Sequence, residues 1–314
     1  MKAITLKTFG GVENLETVEL PIPEIAANEV LVQVKSISIN PVDVKTRAGK
    51  GMAGRLKELD PLILGWDISG IVTASNAPDF KVEDEVFGMV NFPGHGKAYA
   101  EFVAVPADQL AIKPANINFE EAAAATLAAL TAWQALVVHA KIQEGQKVLI
   151  HSAAGGVGHY AVQLAKYLGA YVVGTASAEN KEFVLSLGAD EHIDYKASPF
   201  EEQTSDIDFV LDTIGGDNID RSLKIIKKGG SLITIPSGLS DGVAEKGKAV
   251  GVNAYFFLVE SNGAHMKEIA ALLEKGIIKS HVSSVFPFEE MGQAHLQVET
   301  AHTRGKVVVS TDIR

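Results

Sequence analysis

The stretch that most limits what this chain can become is HSAAGGVGHYAVQLAKYLGA, residues 151–170. It begins where an apolar run, KVLI, ends, and it continues with the spacing of an amphipathic helix. Strand, glycine cluster and helix in that order open a dinucleotide-binding βαβ unit. In such a unit one glycine makes a tight turn, a second lets backbone approach a pyrophosphate, and a third lets helix and strand pack closely. The phosphates sit at the helix N-terminus, where unpaired N–H groups and the helix dipole favour negative charge. Here Ala153 takes the first place, Gly155 the second and Gly158 the third, with Gly156 as an extra permissive residue. Helix–strand packing alone can select small residues, but the second strand that follows, YVVGTA, supplies the context a phosphate site requires.

From about Glu121 to Asn262, helices and strands alternate. The helix FEEAAAATLAALTAWQALVVHA precedes the glycine unit, and the helix ENKEFVLSLG and the strands IDFVLDTI and GGSLITIPS follow it. This alternation implies βαβ units around a parallel sheet buried on both faces. From Met1 to about Glu120 the texture is instead strands and turns, with alternation in EVLVQVKSISI and punctuation at PIP, NP and FPGHG. After the helix AHMKEIAALLEKG, strand texture returns in HVSSVFPFEEMGQAHLQVE and GKVVVST. The tail is therefore expected to rejoin the β-rich first domain, which becomes discontinuous. A length of 314 residues suits two domains.

A formal charge of -11, spread along the chain without a basic block, argues against nucleic acid or an anionic membrane and for a small-molecule partner. There is no cysteine, which removes disulfides, thiolate nucleophiles, iron–sulfur clusters and every zinc site that needs Cys. The nine His show neither HExxH nor another close ligand pair, so no metal is expected. No Ser-His-Asp motif supports hydrolysis. The stretch AAAATLAALTAWQALVV is too interrupted for a bilayer span and reads as a buried helix. The beginning, MKAITLKTFGG, reads as strand and turn, and a cytoplasmic location is expected.

The end of the second strand bears on the choice of cofactor. An acidic residue there binds the ribose 2′-hydroxyl of NAD, whereas basic or hydroxyl groups accommodate the 2′-phosphate of NADP. After YVVG come Thr175, Ala176 and Ser177, then Glu179 and Lys181. Ser177 and Lys181 suit the phosphate and favour NADPH. Glu179 is the awkward neighbour, and if it faces the ribose the preference reverses; Lys181 reads equally well as a solvated helix residue.

Over essentially its whole length the chain resembles the medium-chain dehydrogenase/reductase superfamily, and within it the zinc-independent quinone oxidoreductases. The stretches that carry the resemblance are SISINPVDVKTRAG, LGWDISGIV, FKVEDEVFG, GKAYAEFVAVPADQLAIKP, AAAATLAALTAWQAL, VLIHSAAGGVGHYAVQLAKYLGA, LGADEHIDY, DFVLDTIGG and RGKVVV, in that order. The resemblance implies an α/β fold: a Rossmann parallel-sheet domain binding NADP over residues 124–279, and a β-rich GroES-like catalytic domain over 1–123 and 280–314. It also implies a homodimer formed through the edge of the cofactor sheet, for which VNAYFFLVE is the candidate strand; an inner strand is the alternative. Zinc-dependent relatives carry a Cys after the early strand, a GHE triplet and a lobe of four Cys. Here Asn40 and Asp43 stand in the first region and Trp66-Asp67 at the second.

The same resemblance assigns site residues. Thr131 faces the nicotinamide, and Ala154, Gly155, Gly156, Val157 and Gly158 line the pyrophosphate. Ser177, Lys181 and Tyr195 surround the 2′-phosphate, with core packing as the alternative for Tyr195. Thr213, Ile214, Pro236 and Ser237, at the ends of later strands, border the ribose and carboxamide, and Asn40 lies beside the nicotinamide ribose or the substrate. Asn40, Lys45 and Tyr99 are the candidate donors to a developing oxyanion, while Asp43 and Asp67 are read as holding loops rather than shuttling protons. Three departures stand out: Glu83 where many relatives have Gly, Lys45 where several quinone reductases have Tyr, and Ala153 at the first fingerprint position. The activity implied is zinc-free hydride transfer from NADPH to a quinone or other conjugated carbonyl. The alternatives are a zinc-free alcohol or aldehyde reductase and a non-enzymatic NADPH-binding sensor.

Overall fold

The computed structural model describes residues 1–311. In chain order the strands are β1 (Lys2–Leu6), β2 (Leu15–Glu19), β3 (Glu29–Ile39), β4 (Asp67–Ser75), β5 (Glu85–Met89), β6 (Phe102–Pro106) and β7 (Leu110–Ile112). They continue with β8 (Lys147–Ile150), β9 (Tyr171–Ala176), β10 (Glu191–Asp194), β11 (Ile207–Asp212), β12 (Ile226–Thr234), β13 (Asn253–Phe256), β14 (Val282–Pro287) and β15 (Lys306–Ser310). Two compact units result, one from Met1–Leu130 with the chain from Val259 onward, the other Thr131–Leu258.

The first unit is built on β3. Its alternation buries Val30, Val32 and Val34 on one face, and from Ser36 to Ile39 both faces are covered. The strand is long enough to pair with β4 along its length, with β6 near its start and with β15 near its end, all antiparallel. The sheet runs β14-β15-β3-β4-β5-β7, with β6 joined to β3, and β1 and β2 form a separate hairpin. Val307 to Ser310 of β15 lie opposite Ile39 to Ser36, so the tail completes the sheet that the first third of the chain begins.

The second unit is a six-stranded parallel sheet in the order β10-β9-β8-β11-β12-β13. Its inner strands are nearly continuous apolar runs, as expected where helices cover both faces. Leu149, Val173, Val210 and Leu232 are among the core residues, packed with Phe200, Ile219 and Val243. This is the doubly wound order that places ligands beyond the carboxyl ends of the strands, beside the first strand, where the winding reverses.

Two local features depart from the sequence reading. The single helix expected over 119–140 is interrupted: one helix spans Phe119–Ala124, another Leu127–Trp133, and a π-type segment follows over Gln134–His139. The break arises because Asp67, buried on β4, accepts the Leu127 N–H at 3.1 Å while the Thr126 hydroxyl donates to the Ala123 carbonyl at 2.7 Å. The helix Gly263–Glu274, placed in the Rossmann domain by the sequence boundaries, lies in the first unit. Gly263 approaches Asp108 so closely that a Cβ would stand 2.4 Å from its carbonyl oxygen, and Asn116 Nδ2 donates to the Leu273 carbonyl at 3.1 Å.

Candidate active site

The carboxyl edge of the parallel sheet gathers most of the candidate cofactor residues. The segments after β8 (151–158), β9 (177–181), β10 (195), β11 (213–214) and β12 (236–237) all emerge there. After Ile150 the chain turns at Ser152, which takes a left-handed backbone (φ 51°), and the Gly155 N–H closes the turn on the Ser152 carbonyl at 2.9 Å. Gly155 is the N-cap of the helix Gly156–Tyr167, and no side chain caps it. The first N–H groups of any helix lack intrahelical partners, and here glycines leave backbone rather than side chain beside them. A Cβ on Gly158 would stand 2.1 Å from the Ser152 carbonyl oxygen, so the third glycine is what lets the helix lie against its turn. Ala153 and Ala154 are buried, and Gly155, Gly156 and Val157 are half-buried. This bare cradle fits a pyrophosphate.

Two polar residues that sequence reasoning passed over hold the cradle. His151, fully buried, bridges Thr175 Oγ1 through Nδ1 (3.0 Å) and Ser222 Oγ through Nε2 (3.0 Å). The Ser222 hydroxyl proton goes to the Asn218 carbonyl at 2.7 Å, so Nε2 carries the imidazole proton and Nδ1 accepts from Thr175. Burial pushes the His151 pKa down to about 4, against the pull of the Asp212 carboxylate. Asp212, at the end of β11, accepts from Gly215 N, Asn218 Nδ2 and Thr234 Oγ1 at 2.7–3.2 Å and fixes the turn that presents Thr213 and Ile214. The signal for both was a polar residue at the carboxyl end of an apolar strand.

The other candidates along this edge differ in exposure. Ile214 and Tyr195 are about half exposed, so Tyr195 is not a core residue, and Lys181 is exposed. Pro236 and Ser237 are half-buried, whereas Thr131 is buried in the helix Leu127–Trp133. The Thr213 hydroxyl donates to the His151 carbonyl at 2.9 Å. Ser177 is 7% exposed; its hydroxyl donates to Glu179 Oε1 at 2.9 Å and accepts from Asn180 Nδ2 at 3.0 Å.

In the first unit, Asn40 caps the helix Pro41–Arg47 and sits in a buried charged cluster. Its Nδ2 donates to Asp67 Oδ2 at 2.7 Å and to the Ser38 carbonyl at 3.4 Å, and its Oδ1 accepts from Lys306 Nζ. Lys306 Nζ lies 4.0 Å from Asp67 Oδ2. Asp43 Oδ2 accepts the Asn40 N–H at 2.6 Å. Burial, reinforced by the Asp67 charge, pushes the Asp43 pKa up to about 8. Burial likewise raises the Asp67 pKa and lowers that of Lys306, each shift opposed by the charge of the other group. Both aspartates hold backbone, at Asn40 and Leu127.

The three candidate donors part company here. The Asn40 carboxamide has both ends committed within the cluster. Tyr99 is fully buried, its hydroxyl 2.8 Å from His295 Nε2 and its ring against Gly65, so it belongs to the core of the first unit. Burial pushes its phenol well above the usual range. Lys45 is half-buried, burial and the Lys50 charge lower its pKa, and its ammonium has no hydrogen-bond or ion-pair partner among the described residues. At the family's zinc positions the donors are a carboxamide, Asn40, already bonded to Asp67 and Lys306, and a carboxyl group, Asp67, 4.0 Å from Lys306 Nζ, a set unlike the Cys and His ligands of a zinc site.

Two family models match the chain, an alcohol dehydrogenase GroES-like domain over residues 26–115 and a zinc-binding dehydrogenase domain over 187–309. The chain is 36% identical, over 98% of its length and 79% of the relative's, to the chloroplastic NADPH-dependent alkenal/one oxidoreductase of Arabidopsis thaliana. Its fold is similar to that of the quinone oxidoreductase from Coxiella burnetii, with a TM-score of 0.94 and 36% identity over 100% of this chain and 99% of that one. It is also similar to the Escherichia coli quinone oxidoreductase complexed with NADPH, with a TM-score of 0.86 and 28% identity over 99% and 100% of the two chains. The chain belongs to the medium-chain dehydrogenase/reductase superfamily, in its quinone oxidoreductase-like branch.

Proposed function

We propose that this oxidoreductase reduces a conjugated acceptor, a quinone or an α,β-unsaturated carbonyl, with NADPH and without zinc. The observation that carries the reading is the bare glycine cradle at the carboxyl edge of a parallel sheet wound in the dinucleotide-binding order. The relatives' names, an NADPH-dependent alkenal/one oxidoreductase and a quinone oxidoreductase complexed with NADPH, support both the cofactor and the acceptor class. When bound, the dinucleotide supplies a hydride from nicotinamide C4.

Ala154 to Gly158 hold the pyrophosphate, and Lys181 and Tyr195 offer donors to a 2′-phosphate. Thr213, Ile214, Pro236 and Ser237 border the ribose and carboxamide, and Thr131 supports the nicotinamide. Negative charge that builds on the acceptor oxygen needs a donor, and loss of one such donor costs about 3 kcal/mol of transition-state stabilisation in well-studied cases. Lys45 fills that role best, because its donors alone of the three candidates are uncommitted within its own unit. Asn40 acts by position, held by Asp67 and Lys306. Conjugated acceptors place less demand on the donor than simple aldehydes do, since their hydride adducts are delocalised. That favours quinone or enone reduction in a site whose oxyanion support is one lysine. The edge position of β13, with Phe256 about one-third exposed, supports a homodimer joined along that strand.

The test is NADPH oxidation with 1,4-benzoquinone, an enone and an aldehyde, each measured with and without chelator. Turnover of quinone or enone that chelator leaves unchanged is expected, with kcat reduced at least tenfold in Lys45→Met and KM for NADPH unchanged. Turnover of the aldehyde alone, or complete loss with chelator, contradicts the proposal; an unchanged kcat in Lys45→Met assigns the proton to solvent.

A further inference from the structure

The hydrogen bonds of Ser177 bear on which dinucleotide the site takes. A serine hydroxyl has one proton to give and two lone pairs. Ser177 gives its proton to Glu179 Oε1 at 2.9 Å and spends a lone pair on Asn180 Nδ2 at 3.0 Å. In this arrangement the buried hydroxyl can still accept a hydrogen bond but has none to offer. The end of β9 therefore presents an acceptor hydroxyl and a carboxylate, with the exposed Lys181 two residues beyond Glu179.

The two forms of the cofactor make opposite demands on such a surface. A ribose 2′-hydroxyl can donate to Ser177 or to the Glu179 carboxylate. A 2′-phosphate carries close to two negative charges at neutral pH and only acceptors, so it needs donors and is repelled by Glu179. Lys181 and Tyr195 serve the phosphate; Glu179 opposes it twice, by its own charge and by holding the proton Ser177 would otherwise donate.

We infer that Glu179 is a specificity-determining residue that restrains the NADPH preference through its grip on the Ser177 hydroxyl, leaving NADH as a usable second cofactor. The inference rests on the proposed dinucleotide site and names the group that sets its selectivity. It makes a particular demand: Ser177 should contribute little to phosphate binding while Glu179 is present, and contribute fully once Glu179 is gone.

Equilibrium binding of two fragments, 2′,5′-ADP and 5′-ADP, reads this without turnover. Calorimetry on the full chain would compare wild type, Glu179→Ala, Ser177→Ala and the double variant. Glu179→Ala is expected to tighten 2′,5′-ADP about tenfold, the worth of one charge-assisted hydrogen bond, and to leave 5′-ADP unchanged or weaker. Ser177→Ala alone should move 2′,5′-ADP less than threefold, whereas in the Glu179→Ala background it should cost more than threefold, cancelling the part of the gain that the freed hydroxyl supplies. An affinity ratio for the two fragments that changes less than threefold in Glu179→Ala overturns the inference. So does a Ser177→Ala loss as large in wild type as in the Glu179→Ala background. Both of these outcomes leave the dinucleotide site standing, whereas failure of wild type to bind either fragment overturns the proposed function and the inference together.

Discussion

His151 shows how one side chain ties together a site it does not enter. Its ring spans from the turn after β8 to Thr175 on β9 and Ser222 on the helix Asp217–Leu223. Neutral in the fold, with a pKa of about 4 against an ordinary 6.5, it is a group whose proton the unfolded chain binds more readily. Its contribution to stability is therefore complete above pH 6.5 and is lost as the pH falls toward 4, by about 3 kcal/mol over the window. Because Asp43 works in the opposite sense over the same range, the His151 effect is read as a difference: in urea unfolding from pH 4.5 to 7 the gap in stability between wild type and His151→Gln should widen as the pH rises. Equal slopes would mean that His151 does not set the acid limit. Asp43 runs the other way: pushed up to about 8, it keeps its proton in the fold, and its contribution is present below pH 4 and declines as the pH rises through 8. Neither environment was legible beforehand, because each depends on partners brought in from elsewhere in the chain.

At the scale of elements, the turn and helix after β8 behave as one object. The Ser152 carbonyl receives the Gly155 N–H and faces Gly158 where a Cβ would be 2.1 Å away. Gly158→Ala must push the helix Gly156–Tyr167 off this turn, at a cost of about 1–3 kcal/mol, and should weaken 5′-ADP binding at least tenfold. The same change at Gly54, which has nothing within 4 Å of its Cβ position, should leave both unchanged. Calorimetry and thermal melts on the two variants check this, and a Gly158→Ala protein with wild-type affinity would deny that the third glycine sets the cradle. The glycine cluster, the alternation of β3 and the apolar parallel strands were all readable, because they follow from local period and turn chemistry. The break at Ala125–Thr126 was not, since Asp67, 60 residues upstream, draws the Leu127 N–H out of the helix. Nor did the sequence show that Glu83 adopts a left-handed φ of 75°.

At the scale of the whole molecule, the chain leaves one unit, builds a second and returns. The return was visible in the strand texture after residue 280, and β15 lies against β3. The boundary was harder to read, because the helix Gly263–Glu274 has the same amphipathic pattern in either unit; contacts at Asp108 and Asn116 place it in the first. The same return brings Lys306 to Asn40 and Asp67, so the charged cluster near the start of the chain is completed by its last strand. Of the candidate donors, sequence could name Asn40, Lys45 and Tyr99 but not rank them: His295, which takes the Tyr99 hydroxyl, lies 196 residues away. Among the described residues no helix is long and apolar enough to cross a membrane.

The proposed reaction is metal-free hydride transfer from NADPH to a conjugated acceptor. Its most direct test uses chelator-treated protein, NADPH deuterated at the transferring C4 position, and an enone, with the product examined by mass spectrometry and NMR. Conjugate hydride transfer is expected to place one deuterium on the β-carbon of a saturated ketone. Deuterium on the carbonyl carbon of an allylic alcohol, or turnover that returns only when zinc is added back, would contradict it.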